Sequence, residues 1–245
     1  MTAPFPSRKQ EEWRYADLEA LQPVWEEFAE PVTLTLGAGE RLEEIWLPPG
    51  GEVALRRVEI ALGEKAKARI FALSNAPLYG RIEIDVSLAE GADFELFGAN
   101  IGTGLSTNEF VTRVRHVGAG ARSRQTIRSV LGGKAVGTYL GRVEVARGAQ
   151  QTDAEQSVKA MLLERGATAN CKPELEIFAD DVKCAHGASI GELDPMQLFY
   201  AESRGLDAPS ARALLLEGFV MGLWDSASEG DAIKGAAREA LRKVA

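Results

Sequence analysis

The chain has 245 residues, 45% apolar but only 7% aromatic, which is enough for a sizeable and mainly aliphatic core. Its 28 basic and 36 acidic residues leave a net charge of −8. That balance argues against a nucleic-acid binder, which needs a basic stripe, and against docking on an anionic membrane surface.

The first segment, residues 1–31, reads as helical. Ser7 and Gln10 have the S-x-x-Q spacing of a capping box, Trp13, Leu18 and Leu21 follow, and Pro23 interrupts. A second short helical patch, Trp25 to Ala29, stops before Pro31. Residues 32–193 alternate apolar and polar positions, as in "RIFAL", "RIEIDVSL", "DFELFG", "EFVTRVRHV" and "GRVEVAR". Gly-Ala pairs recur at Gly91-Ala92, Gly120-Ala121, Gly148-Ala149, Gly166-Ala167 and Gly187-Ala188, with Gly63 and Ala66 a weaker member. Read as corners, they predict a β-solenoid, with a Gly-turned β-sandwich as the alternative. Residues 194–245 are helical. Asp194-Pro195 starts one helix and Gly205 closes it, Asp207 opens a second, and Asp231 can cap a third. The second helix is assigned an apolar face of Ala211, Leu214, Leu215, Gly218, Phe219, Gly222 and Leu223. Terminal helices are expected to cover the open ends of the solenoid.

No apolar run approaches the roughly 18 residues of a membrane span, and the N-terminus lacks a signal-peptide core, so a cytoplasmic protein is expected. There the two cysteines, Cys171 and Cys184, read as packing, metal-binding or redox-active residues rather than a disulfide.

Chemistry concentrates in "DDVKCAHGASIGELD", residues 180–194. Cys184 and His186 stand two apart, so on a strand they share a face. A thiolate beside an imidazole suits zinc or iron, but two ligands do not complete a site, and a second chain could supply the rest. The alternative is a packed cysteine and a hydrogen-bonded histidine. Cys171 reads as a small packing residue and His116 as a solvated strand residue. Gly187, Ser189 and Gly191 form G-x-S-x-G, but both histidines precede Ser189, against the usual order for a hydrolase elbow. Neither a phosphate-binding P-loop nor G-x-G-x-x-G occurs, so no nucleotide is expected on this chain.

Residues 152–206, which include "KCAHGASIGELD" and "FYAESRGL", resemble the signature of the SufB/SufD family, and "SRKQEEWRYADL" resembles its SufD entry segment. "DDVKCAHGASIGELD" favours the SufD branch. The resemblance implies a right-handed parallel β-helix core with α-helical N- and C-terminal regions. It further implies a non-catalytic scaffold for iron–sulfur cluster assembly. Such a subunit pairs with SufB through the β-helices and docks the SufC ATPase on its C-terminal helices. Cys184 and His186 would then be candidate ligands of iron or a transient cluster, shared with SufB. SufC contact would fall on Pro195, Phe199, Tyr200, Arg204, Gly205, Leu215 and Phe219. The chain is short for the family, Cys171 stands where a threonine-like residue is expected, and Glu202 departs from the pattern near the SufC surface. No flavin motif is recognisable. Two other hypotheses stand beside this one. The chain could be a β-solenoid hydrolase or lyase acting on carbohydrate or ester substrates, with Ser189, Asp180 and Asp181 as candidates. It could also self-pair as a homodimer in isolation.

Overall fold

The computed structural model describes residues 4–244. Twelve strands run through the middle of the chain: β1 (Val32–Leu36), β2 (Arg41–Trp46), β3 (Val53–Leu62), β4 (Lys67–Ser74), β5 (Tyr79–Leu88), β6 (Asp93–Gly102), β7 (Thr107–His116), β8 (Arg122–Leu131), β9 (Val136–Val145), β10 (Thr152–Leu162), β11 (Thr168–Ile177) and β12 (Val182–Gly191). The odd-numbered strands form one six-stranded sheet and the even-numbered strands another, each in consecutive order. Every recorded pairing is parallel, so the chain winds as a six-coil β-solenoid with one strand of each sheet per coil. Val53, Tyr79, Thr107, Val136 and Thr168 stand in one column, and each coil repeats the alternation of the last.

Alternate residues of each strand point into the solenoid. Ile70, Ile84, Leu88, Phe94, Leu96 and Phe110 are fully buried there and form the core of the early coils. Burying each such side chain contributes about 1.5–3 kcal/mol, which is why the alternation is so regular. Outward residues carry charge that changes sign from coil to coil. On the even sheet Glu43, Arg69, Glu95, Arg124 and Glu155 stand in one column and pair in succession. These pairs are individually weak, at about 0–1 kcal/mol, but a one-residue slip would turn the charges of a strand into the core.

The Gly-Ala repeat marks the corners only in part. Gly91 and Gly120 do turn corners with left-handed backbone, φ 64° and 66°. Lys65 and Gln151 take the same role in neighbouring coils, at φ 57° and 60°. Gly166-Ala167 lies at the other corner, between β10 and β11, and Gly187-Ala188 is not a corner but the middle of β12.

At the N-terminus the helices are short: α1 (Leu18–Leu21) and α2 (Trp25–Phe28), joined by a 3-10 turn over Gln22–Val24 that accommodates Pro23 rather than breaking there. The Ser7–Gln10 pair closes a turn, with Gln10 Oε1 accepting from the Ser7 N–H at 2.8 Å, and leads into a single 3-10 turn, Glu11–Trp13, rather than an α-helix. Trp13 meets Trp25 and Phe28 edge to face over Tyr79 on the outer face of the odd sheet. At the C-terminus come α3 (Pro195–Ser203), α4 (Ala208–Val220) and α5 (Asp231–Val244). Asp194 and Asp207 cap α3 and α4 as expected, accepting from Met196 and Ser210 N–H groups at 2.8 and 2.7 Å. Gly205, at φ 97°, terminates α3. Asp231 is the first residue of α5 rather than its cap.

The expectation that helices cover the solenoid's ends fails: α1 and α2 lie on the outer face of the odd sheet, and the C-terminal helices lie along the flank. Helix α5 packs against β4, β6 and β8, along the flank, through Ile233, Ala237, Ala240 and Leu241. Helix α4 joins it there with Leu216 and Val220, which the assigned apolar face omitted, whereas Leu214 from that face is exposed. Strand β12 is left paired only to β10, and residues 185–191 of it are exposed. No helix among the described residues is long and apolar enough to cross a membrane.

Candidate functional site

The last coil, β11 and β12, carries Cys171, Cys184 and His186. In register, Cys171 follows Tyr139, Cys184 follows Ala154 and His186 follows Gln156. Ala154, Gln156 and Tyr139 are buried inside the solenoid, so all three chemical residues continue interior columns. The strand places Cys184 and His186 on one face, as their spacing predicts. Because no further coil follows, this interior face opens outward. Cys184 is half-buried against the core and His186 is exposed.

Both cysteines are free. Burial pushes the Cys171 thiol up. Burial also raises Cys184, and Asp153 adds to it, against one backbone hydrogen bond at Ala154. Neither is an activated nucleophile at neutral pH; each loses its proton readily only to a metal or a nearby cation. Among the described residues, no three metal-capable side chains converge. The donor set on this face is a thiol and an imidazole, which fits iron in chemistry and falls short of it in number.

Below the open coil the solenoid interior becomes polar. Tyr139 Oη donates to Gln125 Oε1 at 3.2 Å and accepts from Gln156 Nε2 at 2.9 Å, with Thr112 Oγ1 at 3.3 Å. The regular alternation hid this network, because Gln125 and Gln156 occupy inward positions that a purely apolar pattern would fill. His116 was also misplaced by the sequence. It is fully buried, with Nε2 2.9 Å from Ser123 Oγ, and desolvation lowers its pKa to about 4.

Ser189 and His186 fall on opposite faces of β12, so the G-x-S-x-G lies along a straight strand, its serine paired with Lys159 and turned away from the histidine. Asp180 and Asp181 are exposed in the turn before β12.

A second surface lies on α3 and α4. Phe199 and Tyr200 are exposed, Arg204 lies over the Tyr200 ring at 5.0 Å, and half-buried Leu215 lines the cleft between the helices. Met196 and Leu214, 70% and 57% exposed, belong to the same patch and were not anticipated. Pro195 and Gly205 bound α3 and are exposed. Phe219 is not part of this patch. It packs toward the solenoid with Arg128 over its ring at 5.9 Å.

Residues 44–219 match the family model for the SUF system FeS cluster assembly SufBD core domain. The chain belongs to the SufBD family. Within it, the similarity runs to SufD-type proteins. The chain is 34% identical over 115 residues to the iron-sulfur cluster assembly protein SufD of Escherichia coli, which is 47% of this chain and 27% of that one. It is 46% identical over 102 residues to the chloroplastic protein ABCI7 of Arabidopsis thaliana, or 42% of this chain and 21% of that one. With the SufBD family protein ML0594 of Mycobacterium leprae it shares 28% identity over 203 residues, 78% of this chain and 52% of that one. The chain thus spans about half or less of the length of these curated relatives. The matching model and the SufD relatives are named for iron–sulfur cluster assembly.

Proposed function

We propose that the chain is a non-catalytic, cytoplasmic scaffold subunit that pairs with a SufB-type partner through its last coil and docks a SufC-type ATPase on α3 and α4. The supporting observation is the uncovered coil β11–β12. A parallel strand with free backbone groups on one side is a ready pairing edge. Its rim carries Ile177, Phe178 and Ile190, which are 39%, 59% and 51% exposed, and such apolar residues favour a covered interface over open solvent. Cys184 and His186 stand at this rim, so a partner pairing there can supply the missing ligands. Iron or a nascent cluster is then cargo held between two chains, His186 giving an imidazole and Cys184 a thiolate.

The exposed aromatic patch on α3 supports the second contact, since rigid aromatics with an arginine are typical anchors of an interface. Phe199, Tyr200, Arg204 and Leu215 are its centre, Pro195 and Gly205 set its ends, and Phe219 supports α4 from beneath.

The test is anaerobic reconstitution of the chain with both partners. His186→Ala should leave the complex intact and sharply reduce iron or cluster retained after gel filtration. Unchanged retention would remove the ligand role.

A further inference from the structure

Gln156 is 1% exposed, yet its Oε1 has no hydrogen-bond partner among the described residues. A buried amide oxygen left so costs about 1–3 kcal/mol, so a partner within reach is expected. The next residue in its column is His186, paired in register one strand away and on the same face. Both residues line one groove along the β10–β12 edge.

The rest of the column sets the direction of such a bond. Gln156 spends its Nε2 group on Tyr139 Oη, and Tyr139 spends its hydroxyl proton on Gln125 Oε1. With Gln156 Nε2 turned to Tyr139, the atom of this amide left without a partner is an acceptor, Oε1. Only a donor can satisfy it, and a neutral imidazole has one N–H to give.

We propose that Gln156 is a positioning residue for His186: its Oε1 accepts one ring N–H, fixing the tautomer and turning the other nitrogen's lone pair out of the open coil. The purpose of this bond rests on the reading of His186 as a ligand; its existence does not. Ligating histidines commonly donate their second N–H in this way, and loss of the acceptor weakens metal binding roughly 10–100-fold.

The chain's two histidines make the bond directly observable. Long-range proton–nitrogen correlation on 15N-histidine-labelled protein, at a pH where both rings are neutral, reads each tautomer. His116, buried against Ser123, is the internal reference. His186 is expected in a single tautomer in the wild type, in a mixture in Gln156→Leu, and in a single tautomer again in Gln156→Glu, which keeps an accepting oxygen. An averaged mixture in the wild-type spectrum overturns the proposal, even if Gln156→Leu does not fold. Co(II) titration of the same samples separates the two readings. If His186→Ala leaves Co(II) affinity unchanged while the tautomer result holds, the ligand reading fails and the positioning bond stands.

Discussion

At the scale of single residues, the solenoid stores its polar chemistry in places water does not reach. His116 is one. Its folded pKa of about 4 lies below the unfolded value of 6.5, so the unfolded chain binds the proton more tightly. The stability held by the neutral ring is fully present above pH 6.5 and is lost as the pH falls toward 4. The drop is at most about 3 kcal/mol. Urea midpoints between pH 7 and pH 4.5 should fall more steeply for the wild type than for His116→Gln; parallel curves would mean the ring is not buried neutral. Arg81 and Glu109 are a second case. Both are fully buried, 3.1 Å apart, with Trp13 stacked 3.8 Å from the guanidinium and Tyr79 Oη donating to Glu109 at 2.8 Å. Arg81→Met strands a buried carboxylate and should cost about 3–5 kcal/mol by denaturant unfolding. Adding Glu109→Leu should recover a large part of that loss. None of this was legible in the sequence. A histidine or arginine on a strand has the same letters whether it faces solvent or lies under a helical segment far away in the chain.

At the scale of elements, period-2 alternation identified the strands, because burial on one face dictates it in every coil. The ends of the strands were less legible. Most run ten residues, beyond the apolar stretches, since a parallel ladder continues through polar positions once its neighbour is in place. The corner repeat was legible only where glycine supplied the left-handed residue, and invisible where Lys65 and Gln151 adopt that backbone. Helix α4 was misjudged for a related reason. It has two partners, the solenoid flank through Leu216 and Val220, and α3 through Leu215, and a single apolar face cannot describe both. The lock between helices and flank is Trp224, fully buried, whose Nε1 donates to Phe97 O at 3.1 Å. Trp224→Ala should cost about 3–5 kcal/mol. Hydrogen exchange should speed up in α4 and α5 while β5, β7 and β9 stay protected. Uniform loss of protection would mean helices and solenoid unfold as one unit.

At the scale of the whole molecule, the chain is a β-solenoid stopped at an open coil. That Cys184 and His186 share a face was legible from spacing alone, because two residues apart on a strand means one face. That the face is the solenoid's own interior, surfacing where the coils end, was not. It depends on how many coils precede β12 and on the C-terminal helices folding back along the flank instead of across the end. The proposed pairing of this open coil with a partner chain decides whether the molecule works as a scaffold. The direct measurement is affinity capture with SufB-type and SufC-type partners, wild type against Phe178→Glu/Ile190→Glu. The wild type should capture both partners, and the double variant should lose the SufB-type chain while retaining the SufC-type chain. Capture of the SufB-type chain at wild-type levels by the double variant, or of neither partner by the wild type, would contradict it.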